Sequence, residues 1–182
     1  YELSCRNRAQ AFFNSAVEIF AKENARVKFT GVQGLSDGTF LFESRTASAG
    51  KDAKIEWVDI CLGGRFVSSE TRSILDGTGA ESRNTGLFFG DGNQQFDMAA
   101  DAVHKASNTK SLMASRGVLD DASKAVYRGL IHRNKDAKNC NGYQKEDVLL
   151  LSEKAEADSI PKLEIDNNEV RCSHGATISQ ID

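Results

Sequence analysis

A single proline, Pro161, stands among the 182 residues. Linkers and disordered tails are commonly richer in it, so a long unstructured tether is disfavoured. Apolar runs are short. None approaches the roughly 20 residues that a bilayer-spanning helix needs, and no signal peptide opens the chain. Basic residues are scattered and the net charge is −3, without the basic stripe of a nucleic-acid binder. These absences lead us to expect a cytoplasmic protein that uses neither membrane nor nucleic acid. Cysteine is sparse, and Cys5, Cys61, Cys140 and Cys172 stand far apart along the chain. No C-x-x-C pair exists, which argues against a zinc finger or ribbon. Free thiols buried as small hydrophobes are the plain reading. No G-x-x-x-x-G-K-[ST] loop is present, so any ATP chemistry has to come from another protein.

What the chain does contain is an imperfect repeat. Asn24-Ala25-Arg26, Asp52-Ala53-Lys54, Asp136-Ala137-Lys138 and Lys154-Ala155-Glu156 share a pattern, with Gly79-Ala80-Glu81 a weaker copy. The spacing from Ala25 to Ala53 to Ala80 is nearly constant, roughly doubles from Ala80 to Ala137, and shortens from Ala137 to Ala155. The long gap reads as two or three smaller units with one copy degraded. Most copies lead into alternating apolar and polar stretches such as Val27 to Thr30, Ile55 to Ile60 and Pro161 to Ile165, as half-buried strands require. Asp37-Gly38, Asp76-Gly77, Asp91-Gly92, Asn141-Gly142 and Asn167-Asn168 supply turn signals between them. Many short strands with a loose period of about 20 to 28 residues predict one all-β domain over residues 1–182, a right-handed parallel β-helix. At about 20 residues per coil, about eight coils would follow Ala25. Two stretches resist the pattern. Asn14 to Lys22 has helical propensity, and so does Phe96 to Ser115. We read the second as strands with Val103 and Leu112 facing inward.

The chemistry-bearing residues are few. His104 and His132 lack neighbouring cysteines. Asp120-Asp121 and Glu146-Asp147 are adjacent pairs, which in strands point to opposite faces and make poor acid/base sites. Cys172 and His174 differ, because residues i and i+2 of a strand share a face, so thiolate and imidazole there can reach one metal centre. The alternative is that Cys172 faces the core and His174 caps a turn beside Gly175. Cys140 sits in the polar stretch Lys138-Asn139-Cys140-Asn141-Gly142, where exposure is expected. Glu164 could be a site residue or a solvent-facing strand position.

The last third of the chain carries a resemblance. It runs through Arg116-Gly117-Val118-Leu119-Asp120-Asp121, Tyr127-Arg128-Gly129-Leu130-Ile131, Gly142-Tyr143-Gln144 and Leu149-Leu150-Leu151-Ser152-Glu153. It continues in Pro161-Lys162-Leu163-Glu164-Ile165 and closes on Cys172-Ser173-His174-Gly175-Ala176-Thr177. In these blocks and their spacing the sequence resembles the SufB/SufD family of iron–sulfur cluster assembly scaffolds, and a fainter likeness extends upstream to Ala25. The resemblance implies a parallel β-helix without catalytic residues of its own, flanked in the family by helical regions. The C-terminal, ATPase-docking region would lie beyond Asp182, so the chain is expected to be a fragment. It implies a second SufB/SufD-like subunit, identical or paralogous, a SufC-type ABC ATPase and a sulfur donor protein as partners. An iron–sulfur cluster would be held transiently at a subunit interface, with His174 and Cys172 as candidate ligands and Glu164 and Cys140 as weaker ones. SufB-type members carry cysteine where Ala155 stands and histidine near Asp158, so the chain looks closer to SufD or to an undifferentiated archaeal-type member. A β-helix carbohydrate-active lyase or hydrolase is the alternative, and it needs carboxylates clustered on adjacent coils. A hexapeptide-repeat acyltransferase is disfavoured for want of a six-residue period.

Overall fold

A computed structural model describes residues 2–5, 10–166 and 170–181. Among them run thirteen strands and no helix. The first seven are β1 (Glu2–Cys5), β2 (Ala11–Ala21), β3 (Arg26–Leu35), β4 (Thr39–Ala49), β5 (Lys54–Cys61), β6 (Phe66–Leu75) and β7 (Glu81–Gly90). The remainder are β8 (Gln95–His104), β9 (Lys110–Leu119), β10 (Lys124–Arg133), β11 (Cys140–Leu150), β12 (Glu156–Ile165) and β13 (Val170–Gln180). Odd strands form one sheet and even strands the other, and every neighbouring pair is parallel. The chain therefore alternates between two facing sheets and climbs one strand spacing, about 4.8 Å, per coil. It is a parallel β-solenoid of about six turns.

Each coil is longer than the repeat suggests, which is why there are about six turns and not eight. Register shows the length directly. In the inward column Val27, Ile55, Ser82, Ser111, Gly142, Cys172 each residue is the backbone partner of the next, so successive positions are one full coil apart. The alanine repeat marks one corner of each coil. Asn24, Asp52, Gly79, Asn108 and Asn139 all have positive φ there, between 54° and 75°. Short polar side chains and glycine accept that backbone at least cost. Each of the first four donates its N–H to the corner of the next coil, for example Asn24 to Lys51 O at 2.9 Å and Asn108 to Lys138 O at 2.8 Å. The residue after each is small: Ala25, Ala53, Ala80, Thr109 and Cys140. The long gap after Ala80 thus hides a threonine copy, and Ala137 lies just before the corner that Cys140 fills. Ala155 belongs to the opposite corner, where Glu156 N–H donates to Ser123 O. The short gap from Ala137 to Ala155 measures half a coil.

Asn14 to Lys22 is not helical; it falls on β2 and its end. Phe96 to Ser115 forms strands as expected, but with the other face inward. Phe96, Ala100, Ala102, His104 and Met113 are buried, whereas Val103 and Leu112 point outward at intermediate exposure. In a strand a one-residue shift of phase exchanges every side chain between faces. The expected turn at Asn167-Asn168 lies outside the described residues.

Three apolar clusters fill the interior. Leu35, Leu41, Val67, Phe88, Phe96 and Leu119 pack near one corner, and Ile55, Trp57 and Leu75 with small alanines near the other. Ala100, Ala102, Met113, Tyr127 and Ile131 form the third, closer to the C-terminal end, with Cys172 against it. A stripe of buried polar residues runs between them, including Glu43, Arg45, Thr71, Ser115, Gln144 and Glu146.

Candidate functional site

The inward phase of β11 is set by Cys140, Gly142, Gln144, Glu146 and Val148, all buried. β13 pairs with it in register, Gly142 beside Cys172, Gln144 beside His174 and Val148 beside Ile178. Cys172 and His174 therefore share the inward-facing row, in mid-strand. His174 does not cap a turn. β13 is the last strand of its sheet among the described residues. Among the described residues no strand pairs with the other edge of β13; His174 is exposed and Cys172 is half-buried there.

Gly142 makes the seat for the thiol. A Cβ on it would meet Ile131 Cγ2 at 3.0 Å and Cys172 Sγ at 3.3 Å. Burial, the largest influence, raises the Cys172 pKa, while the Gly142 N–H and the Arg133 guanidinium favour the thiolate. At neutral pH the group is a thiol whose proton a metal ion has to displace. Below His174, the Gln144 side chain is packed against Gly129, and among the described residues neither its Nε2 nor its Oε1 has a hydrogen-bond partner. A buried amide without partners is costly. Further along the same strand, burial raises the Glu146 pKa, although Ser159 donates to its carboxyl. The inward row of these two coils thus carries a thiol, an imidazole, an amide and a carboxyl, beside the apolar Ile131, Met113 and Tyr127.

Two candidates lie elsewhere. Cys140 is not exposed; only 3% of its surface is accessible. It takes the small-residue place of the corner column, and its thiol contacts Thr109 Oγ1 at 3.1 Å. The polar residues around it in sequence form the outer rim of the corner, while its own side chain points in. Glu164 pairs with His132 on β10, on the outer face of the other sheet, and its carboxylate meets Lys162 Nζ at 2.5 Å. That ion pair lowers its pKa. It is a solvent-facing strand residue, turned away from Cys172 and His174.

Gln144, Glu146 and the Arg133 guanidinium were not anticipated. Their signal was available: once Val148 is taken as inward, period-two alternation forces 146 and 144 inward as well. Among the described residues no group of three or more His, Cys, Asp and Glu side chains is placed to hold a metal ion. Cys172 and His174 together supply two donor groups, fewer than the four that iron–sulfur clusters commonly use. The other buried ionic group, Arg45 with Glu43 and Asp59, faces the closed interior. It offers no surface to a saccharide and does not favour a carbohydrate-active reading. No helix is long and apolar enough to cross a membrane among the described residues.

Comparison with known proteins gives the family. A family model described as "SUF system FeS cluster assembly, SufBD core domain" matches residues 1–182. An iron–sulfur cluster assembly SufBD family protein of Staphylococcus saprophyticus is 29% identical over 168 residues, 92% of this chain and 36% of that protein. Proteins of the same description from Staphylococcus aureus strain USA300 and from Staphylococcus epidermidis are each 27% identical over the same shares. The chain spans about a third of the length of these relatives.

Proposed function

The chain belongs to the SufBD core family of the SUF iron–sulfur cluster assembly system, and from that premise we propose that its last coil presents His174 and Cys172 to a nascent iron–sulfur cluster. The observation that carries this reading is that the two side chains share one inward-facing row, His174 exposed and Cys172 half-buried. Thiolate is the usual ligand of such clusters and imidazole a known substitute. The cluster is cargo here. Two ligands from this chain hold one side, and the others come from sulfide and from a second SufB/SufD-like subunit, identical or paralogous. A cluster bound through so few protein ligands is easily released, as a scaffold requires.

The residues around the pair assist. Arg133 and the Gly142 N–H favour the thiolate form of Cys172 as its proton leaves. The partner subunit docks beside Cys172 and His174, where it completes the ligand set. A SufC-type ATPase supplies ATP hydrolysis and a separate donor supplies sulfur, since no phosphate-binding loop lies in this sequence. The setting is the cytoplasm, and the chain performs no catalysis of its own.

The test is anaerobic reconstitution of the full-length protein, with its partner, using ferrous iron and sulfide. The expected result is a visible charge-transfer absorbance that His174→Ala weakens by about tenfold or more, the scale on which metal-site mutations act. Far-UV circular dichroism should not change. Undiminished absorbance in His174→Ala removes the proposed site.

A further inference from the structure

The outer face of the odd-numbered sheet carries a trough of about 610 Å³ that runs across five strands, β3, β5, β7, β9 and β11. Five strands at about 4.8 Å give it a length of about 19 Å. Its two walls are ladders of outward side chains, separated by one inward residue along each strand. One wall is Arg26, Lys54, Glu81 and Lys110, which are cross-strand neighbours. The other is Lys28, Glu56, Arg83, Leu112 and Tyr143. Together these hold five basic and two acidic groups, in a protein whose net charge is −3.

The two carboxylates do not neutralise the trough. Glu81 is shared between Lys54 Nζ at 2.7 Å and Lys110 Nζ at 3.5 Å, and Glu56 meets Lys28 Nζ at 3.5 Å. Arg26 and Arg83 have no carboxylate partner among the described residues. All five basic side chains are exposed. At the β11 end the trough closes on Leu112 and Tyr143, an apolar step with the Tyr143 ring 39% exposed.

We propose that this trough is a docking surface for an extended acidic peptide segment of a partner protein. The positive groups are spread along a line and do not converge on a point, which suits a chain of carboxylates better than one compact phosphate. The strand backbone beneath is used up in the sheet, so no fan of free N–H groups is offered to a phosphate, and binding relies on side-chain charge. A peptide also brings an apolar residue for the Leu112–Tyr143 step. The attraction is local, set against a net-negative molecule, so it selects a partner by where acidic residues lie along it. This surface lies outside the solenoid, on the opposite face of the sheet from Cys172 and His174, and its assignment stands or falls independently of the cluster site.

The experiment is fluorescence anisotropy on the full-length protein at about 50 mM salt, where exposed charge is weakly screened. The probe is a labelled decapeptide of alternating Glu and Thr closed by one Leu. Saturable binding is expected, weakened tenfold or more by Arg83→Glu with Lys110→Glu and little changed by Lys124→Glu with Lys162→Glu on the opposite sheet. All these side chains are solvent-facing, so the fold should survive, as circular dichroism would confirm. Equal affinity of the trough variant and the unaltered protein overturns the proposal. So does tighter binding of inorganic tripolyphosphate or a single-stranded RNA decamer than of the peptide.

Discussion

Glu43, Arg45 and Asp59 in the early coils and Gln144, Glu146, Cys172 and His174 in the last two face the same interior, yet they are held differently. In the first group charge is matched within the chain: the Arg45 guanidinium reaches both carboxylates and lies 5.4 Å from the centre of the Phe29 ring. Burial raises both carboxyls, so with two acids to one base the group favours holding a proton in place of the second negative charge. In the second group no opposite charges are matched: Ser159 donates to Glu146, but among the described residues neither polar atom of Gln144 has a partner, and His174 is exposed. Buried charges matched by one another build the fold. A buried polar group without a partner calls for a reason of its own, and in the second group the reason we propose is the cluster.

The comparison can be broken by mutation. The largest effect is expected from Arg45→Met, which strands two carboxyls in the core and should cost about 3–5 kcal/mol. Urea unfolding measures it, and a loss below about 1 kcal/mol would show that the early group is not structural. His104 comes next. It is fully buried, its Nδ1 is 2.7 Å from Thr109 Oγ1 and its Nε2 is 2.9 Å from Ser111 Oγ. Burial, with Arg133 adding to it, lowers its pKa to about 4. A histidine depressed in the fold stays neutral while the unfolded chain protonates near pH 6.5, so its contribution is complete above that pH and is lost as pH falls towards 4. The loss is on the order of 3 kcal/mol. Raised carboxyls such as Glu43, Asp59 and Glu146 act in the opposite direction, so the measurement is a difference: His104→Asn should flatten the stability profile between pH 6.5 and 4, and an identical profile contradicts this. The smallest effect on stability belongs to Gln144→Leu, within about 1 kcal/mol and of either sign, since a buried amide without partners is exchanged for an apolar side chain of similar size. The same variant should impair cluster formation beside His174; a large loss of stability would place Gln144 with the early group instead.

Much of this architecture was legible because alternation is local. Val27, Ile55 and Leu163 announce strands, whereas the left-handed corners at Asn24, Asp52, Asn108 and Asn139 show only in the structure, and the turn expected at Asn141-Gly142 lies within β11. The number of coils was not legible, because an alanine at one corner and an alanine at the other look alike in sequence. Val103 and Leu112 were assigned inward because they are the more apolar residues of their stretches. The charged Asp97 and Asp101, in the same phase as Val103, decide the matter the other way and leave His104 to be accommodated inside by Thr109 and Ser111. Cys140 was misjudged for a related reason: its neighbours are polar because the corner is outside, but the corner column demands one small buried residue per coil. The pairing of Cys172 with His174 followed from strand geometry alone. Their difference in exposure did not, since it depends on how the coils stack.

The proposal that His174 and Cys172 receive the cluster is tested most directly by pulsed electron paramagnetic resonance of the reduced cluster assembled with the partner subunit. Protein carrying ¹⁵N-labelled histidine should show a nitrogen coupling that changes with the label and disappears in His174→Ala. A cluster that forms with no histidine coupling, or that keeps the coupling without His174, contradicts it.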